Sequence, residues 1–450
     1  MDDLCIDLGR GMAIAALAVI LARVLAPCCS RRWAVAGLAA WWLMPALVLA
    51  HAWAVLPVPW LHGPLTRQGL HVLLSALRLT PLALAIVWCA PAAPWSAEAL
   101  HLARQLGPRR RHAGLPHPSI AWWLQGPGRR WLLAGLVILP LALSEFELGS
   151  RLAVDAWAVR LFDAQAGGAR LMDTLGRILP LVIIQFLAVA TAWWLVRQRG
   201  EQTESLPTTG RAVGWMLFVI GGVILLGLPS AVLIHDSVRG FIPVIAAPGI
   251  GSEVAASLLF GSAGGTIAWL VAGLARGRRS SGAVGVIAAL GLCGGLPLGL
   301  ILLALMPVLL LATPLPLIIA LAVQAIPFAW VVRRLAAEEI FGWTVARQLS
   351  RGDTRQRAAT ARLHWHLRAG RSWWAWAALT WWCTWELAAS AILYPIDMTP
   401  VLVLLYHFMH YGESAALTAR LALAVSIPLL GLAALYPLAR WWSSRSVPCG

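Results

Sequence analysis

From Gly285 to Leu311 the chain runs without a single charged residue, and shorter runs of the same kind recur along most of its length. A helix needs about 20 mostly apolar residues to cross ~30 Å of hydrocarbon. Strands are excluded for runs this long, because in lipid only a helix satisfies every backbone group locally. Eleven stretches qualify, approximately 9–27, 33–56, 70–92, 131–147, 173–196, 212–234, 255–275, 283–311, 315–333, 373–394 and 414–438. Composition agrees: 12% of the 450 residues are charged and 60% are hydrophobic. A soluble surface typically carries about 25% charged residues, so a water-facing globule is ruled out, and disorder with it. The expected fold class is an all-α polytopic membrane protein of about eleven transmembrane helices.

All 35 basic residues are arginine. Without lysine there is no phosphate-binding P-loop and no Schiff-base chemistry, so any ATP hydrolysis belongs to another chain. The net charge of +16 is strung between apolar runs rather than gathered on one soluble face, and nucleic acid is not an expected partner. Positive charge concentrates in cytoplasmic loops. Loops after odd-numbered spans, with the C-terminal tail, hold 25 arginines, nine of them between Arg333 and Arg371. Loops after even-numbered spans hold Arg67, Arg151, Arg160, Arg170 and Arg239. This bias places the N-terminus, with Asp2, Asp3 and Asp7, outside and the C-terminus inside. The seven cysteines show no CxxC spacing and read as small hydrophobes within helices.

Two expected cytoplasmic loops, 93–130 and 334–372, are much longer than the rest, and both contain Ala-Arg-Gln-Leu. Each leads into an aromatic-flanked span with an acidic signature at its end, Ser144-Glu145-Phe146-Glu147 in the first half and Trp385-Glu386-Leu387 in the second. Each half then closes with a proline-containing span (Pro180, Pro428), and the landmarks recur at an offset of roughly 240 to 250 residues. The pattern predicts two homologous bundles in parallel orientation, residues 1–200 and 212–450, joined by a polar cytoplasmic linker at 201–211. Repeat-built transporters place their path at the interface of such repeats.

A cytoplasmic loop of the form Glu-Ala-Ala, several residues, then Gly is the hallmark of binding-protein-dependent ABC transporter permeases. Glu98-Ala99, with Leu100 in the next place and Gly107 further on, resembles that loop. The second copy keeps Ala346, Leu349 and Gly352, with Phe341 where the Glu would stand. Ser257-Leu258-Leu259 and Gly294-Gly295-Leu296-Pro297 also resemble the family's core helices. Two bundles on one polypeptide, with Tyr394-Pro395-Ile396-Asp397 near the end, are similar to ferric iron permeases. The resemblance implies a bacterial inner-membrane subunit, not itself an enzyme. An ATP-binding subunit homodimer and an extracytoplasmic solute-binding protein are its implied partners. The chain binds no cofactor of its own, and ATP is used by the partner. ATPase coupling would fall to Glu98, Ala99, Ala103, Leu106 and Gly107, and to Ala346, Leu349 and Gly352. Independently of the family, Leu100, Ala103 and Leu106 share one face of a helix, which suits either a groove on a partner or an anionic lipid surface.

Charges within spans are costly and tend to mark pathways. Glu145, Glu147 and Glu386 fall at matching places near span ends and are candidates for a cation path, with helix capping or local pairing as the plainer alternative. Arg78, inside the third span, is expected either to snorkel or to pair with one of them, a structural role rather than a contact with substrate. His407, His410 and Glu413 recur at i, i+3 and i+6, a spacing that can present three ligands to a metal on one helix face. The competing function is a membrane transferase acting on a lipid-linked substrate. It would need acids gathered at one membrane face, whereas the long loops hold only Glu98, Glu338, Glu339 and Asp353.

Overall fold

The computed structural model describes residues 2–56, 58, 63–91, 95, 98, 101–102, 105, 118–197, 210–246, 250–274, 281–336, 365, 369–411 and 414–445. Among these residues every regular element is a helix. Seven helices are long and apolar enough to cross a membrane, or up to nine if each of two sharply bent pairs is one span. By its contacts the chain divides into two compact units, Met1–Val232 with Leu292–Ile301, and Leu233–Gly291 with Leu302–Gly450. Of the expected linker at 201–211, only Gly210 and Arg211 lie within the described residues.

The first unit starts with α1 (Asp2–Leu25), which passes into a 3₁₀ turn, Ala26–Ser30, at Pro27. Helices α2 (Arg32–Leu43) and α3 (Ala46–Ala54) meet at 77°. The break is written in Met44-Pro45. Proline lacks an N–H and disfavours helical backbone in the residue before it, and Met44 is extended at ψ 121°. The chain continues through α4 (Pro64–Cys89), α5 (Pro118–Leu124), α6 (Gly128–Leu143), α7 (Glu147–Arg151), α8 (Trp157–Ala166) and α9 (Leu171–Arg197). Helices α1, α4 and α6 pack on one another, and Ile14, Leu74 and Ile138 are fully buried among them. Lipid is as apolar as leucine, so in a bilayer such packing rests on close approach and hydrogen bonds rather than on expulsion of water.

Helix α10 (Arg211–Gly222) docks onto the same unit through small residues. A Cβ on Gly214 would lie 2.7 Å from the Val24 carbonyl oxygen, and one on Gly221 would lie 2.3 Å from Trp41 Cη2. A π turn, Val223–Gly227, joins α10 to α11 (Leu228–Ala246). Such turns disturb the carbonyl ladder, and here the Trp53 indole N–H donates to the Ile224 carbonyl at 3.3 Å.

The remaining elements are α12 (Ile250–Leu274), α13 (Ser281–Leu292), α14 (Gly295–Leu305), α15 (Val308–Leu311), α16 (Leu315–Leu335), α17 (Gly370–Thr384), α18 (Leu387–Leu393), α19 (Val401–Tyr411) and α20 (Ser414–Arg445). Helices α13 and α14 form the second bent pair, at 111°. Its break falls at Gly294, whose φ of +93° is left-handed and suits glycine. The core of the second unit is α12, α16 and α17. They approach closely because α12 offers Gly261 and Gly265 to Thr384 and Thr380 of α17, and Gly264 to Leu321 of α16.

Element order in residues 250–445 follows that in residues 2–197: a long helix, a bent pair, a long helix with an internal proline, a shorter helix ending at an acidic turn, two short helices and a final long helix. Helices α10 and α11, and the short helices α5 and α15 within the halves, stand outside this correspondence. Against the eleven spans expected, seven helices among the described residues qualify, or nine with the bent pairs, and the difference lies at the bent pair and at one shorter helix in each half. Helix α6 has 16 residues and α17 has 15, about 22–24 Å at 1.5 Å per residue. Neither is long enough for a straight crossing, because the chain turns at Glu145 and Glu386 and starts a new short helix.

Candidate functional site

The two acidic turns are built alike. After α6 ends at Leu143, the Glu145 carboxylate, one residue before the N-cap Phe146, accepts a hydrogen bond from the Leu148 backbone N–H at 3.2 Å in the first turn of α7. After α17 ends at Thr384, the Glu386 carboxylate accepts from the Ala389 N–H at 2.9 Å and caps α18. A carboxylate in this place satisfies an orphan donor and complements the helix dipole. The plainer alternative, capping, therefore describes what both side chains do. Glu147 opens α7, where an acid also suits the dipole.

In the first unit the turn is tied to the bend in the α2–α3 pair. Arg78 of α4 donates from Nη1 to Glu145 Oε2 at 3.1 Å and from Nε to the Met44 carbonyl at 3.1 Å. Of the two expectations for Arg78, pairing with one of the acids is thus the one present. Both side chains are mostly buried, at 16% and 10% exposure, and charge-assisted hydrogen bonds in such a setting are strong. The second break reaches the same turn: a Cβ on Gly294 would lie 2.3 Å from Ser144 Cβ. Both interrupted helices therefore meet the residues around Glu145. In the other half, the residue three before the helix proline is Gln324 rather than Arg78. It is buried in α16, and its Nε2 has no hydrogen-bond partner among the described residues. The last turn of α13 packs on it, with a Cβ at Gly291 falling 3.1 Å from Gln324 Cα.

A second polar cluster lies nearer the start of α1. Asp7 accepts from Arg10 at 3.2 Å and from the Trp157 backbone N–H at 3.2 Å, and it also pairs with Arg160. Arg160 reaches Asp155 at 3.0 Å. The matching position on α12 is Ser257, whose hydroxyl accepts from the Val401 N–H at 2.8 Å. Trp157 and Val401 are the first residues of α8 and α19, so each long helix caps the same short helix in its own half. On the other side of α7, Arg151 Nη2 lies 3.5 Å from His51 Nδ1. Burial, which disfavours the charged form, holds the Arg151 guanidinium below its ordinary pKa.

Sequence reasoning missed this cluster because its members lie far apart in the chain. The available signal was Asp7 with Arg10 at i+3, just ahead of the first apolar run. Glu98 is exposed and helical, and His101 and Gln105 pair at 3.0 Å one turn apart. Ala99, Ala103, Leu106, Gly107, Ala346, Leu349 and Gly352 lie outside the described residues. His407 is exposed on α19, while the His410 side chain and Glu413 lie outside the described residues. Among the described residues no group of three His, Cys, Asp or Glu side chains could hold a metal ion.

No known family model, characterised protein or solved structure matches the chain.

Proposed function

We propose that the chain is the membrane-spanning subunit of an ATP-driven importer of the ABC type, built by duplication of one helical module. The observation that carries this reading is the agreement of small contacts at matching places in the two halves. Gly11 on α1 meets Leu143, the last residue of α6, and Gly261 on α12 meets Thr384, the last residue of α17. One turn earlier, Asp7 and Ser257 cap the short helices α8 and α19. Beyond the shorter helix, Glu145 and Glu386 accept from backbone N–H groups in the first turns of α7 and α18. Independent helices would have no reason to share these three contacts in the same order. Duplicated modules with interrupted helices are a common transporter plan, the interruptions supplying polar backbone at membrane depth.

In this reading each module contributes its acidic turn, Glu145 and Glu147 or Glu386, to the path of the solute. A partner ATPase homodimer engages the loops around Glu98–Gly107 and Ala346–Gly352, and an external binding protein delivers the cargo. An inorganic ion such as ferric iron is the preferred cargo on the family resemblance. The eleven-span topology, with the N-terminus outside and the C-terminus inside, belongs to the same proposal.

The test is reconstitution. The chain, purified from native membranes with an ATP-binding subunit attached, should support ATP hydrolysis and solute uptake in proteoliposomes. Replacing Leu106 and Gly107 together with Asp should release that subunit while leaving the thermal unfolding of the chain unchanged. Uptake that persists without any ATPase would point to a carrier instead. Transfer of a lipid-linked group by the purified chain would point to the transferase.

A further inference from the structure

Three polar side chains, His71, Ser75 and Arg78, follow one another on α4 at i, i+4 and i+7, and so lie along one face of the helix. His71 and Ser75 are each only 1% exposed. Neither ring nitrogen of His71, nor the Ser75 hydroxyl oxygen, has a hydrogen-bond partner among the described residues. A buried imidazole always carries at least one N–H donor, and the neutral ring also carries an acceptor lone pair. Leaving such groups unpaired in an apolar interior is expensive. The backbone of α7 passes over the ring without a side chain between them, since a Cβ on Gly149 would lie 3.7 Å from His71 Nε2. Arg10 of α1 is the charged neighbour of His71 at one end. At the other end of the stripe stands the Arg78–Glu145 pair.

We propose that this face of α4 is a hydrated seam, a binding site for internal water running from the Arg10 end of the first bundle to the Arg78–Glu145 pair. The ligand must donate to one ring nitrogen, accept from the other and bond a hydroxyl one turn away. Water does all three, and buried waters typically make about three hydrogen bonds to groups that would otherwise go unpaired. A metal cation would use only a lone pair, and among the described residues no three-ligand group forms near His71. An anion would use only the N–H. The corresponding face of α16 carries Leu317, Leu321 and Gln324, with both leucines fully buried, so the seam belongs to the first half alone. The inference holds whether or not the chain is a transporter.

Hydroxyl-radical footprinting by X-ray radiolysis, on the full chain in lipid nanodiscs, reads water beside buried side chains directly. The protection factor at His71 should be about tenfold below that at Leu74, the fully buried neighbour on the same helix. Equal protection at the two positions would overturn the proposal. Thermal unfolding of His71→Leu gives an independent reading. If the seam is hydrated, the melting temperature falls by several degrees and His71→Gln recovers most of the loss. If the site is dry, removing an unpaired imidazole raises the melting temperature, and the proposal fails. Footprinting of the unmodified chain decides the matter even if the leucine variant does not fold.

Discussion

The halves spanning residues 2–197 and 250–445 share a skeleton of contacts but differ in the charges hung on it. Where α1 carries Asp7, with Arg10 and Arg160 gathered around it, α12 carries a neutral Ser257 doing the same capping. Where α4 presents His71, Ser75 and Arg78, α16 presents Leu317, Leu321 and Gln324. The second acidic turn keeps its cap but faces no arginine at the matching position. The shared skeleton therefore needs only an acceptor at each capping site and a small residue at each close approach. The Asp7–Arg160 and Arg78–Glu145 ion pairs are additions of the first half, whose matching positions in the second are Ser257 and Gln324. A scaffold feature should accordingly matter in both halves, and a charge feature in one.

Arg78 gives the largest expected contrast. Arg78→Ala would leave the Glu145 carboxylate mostly buried without its cation and release the Met44 carbonyl. Breaking a buried pair in this way costs about 3–5 kcal/mol. Gln324→Ala removes a side chain that forms no ion pair among the described residues, and should cost about 1 kcal/mol, chiefly from lost packing. Thermal unfolding of both variants in the same detergent checks the order. Equal losses would mean that the ion pair does not anchor the first turn.

Glycine contacts come next, and here the halves differ in what surrounds them. At Gly261 an added Cβ meets Thr384 Oγ1 at 2.2 Å and the Thr384 backbone N at 2.9 Å, which cannot move aside without shifting the helix. At Gly11 the nearest atom is the flexible Leu143 Cδ2, at 2.6 Å. Gly261→Ala should destabilise by about 2 kcal/mol, as overpacking does. For Gly11→Ala the better helix propensity of alanine offsets part of the clash, leaving a loss below about 1 kcal/mol. A larger effect at Gly11 would mean that α1 and α6 are held more rigidly than α12 and α17.

Much of this architecture was legible in the sequence, and what was not has a physical cause. Long apolar runs located every helix that could cross a membrane, because burial in lipid demands them. The breaks at Pro45 and Gly294 read as parts of continuous spans, since hydropathy does not register backbone direction. The run 373–394 reads as one span for a related reason. Leu387 to Leu393 are as apolar as the helix before them, and the only mark of the turn is Glu386. Arg78 was expected beside an acid because an isolated charge at that depth needs a counterion. The Asp7–Arg160 cluster escaped notice because nothing local in the sequence brings α8 to α1.

Caps should give the smallest effects, and they test the shared skeleton most directly. Ser257→Ala removes the acceptor for the Val401 N–H and should cost about 1 kcal/mol, the usual worth of a cap. Glu386→Gln keeps an acceptor oxygen for the Ala389 N–H and removes the charge, so about 0.5 kcal/mol is expected from the dipole. At Glu145 the same exchange should cost more, because the charge there also holds Arg78. Hydrogen exchange at Leu148 and Ala389 separates the two contributions. Glu386→Gln should leave exchange at Ala389 nearly unchanged, while Glu145→Gln speeds exchange at Leu148 and throughout α7. If both substitutions loosened their helices equally, the Arg78 pair would add nothing to the first turn, and the two halves would be more alike than their sequences suggest.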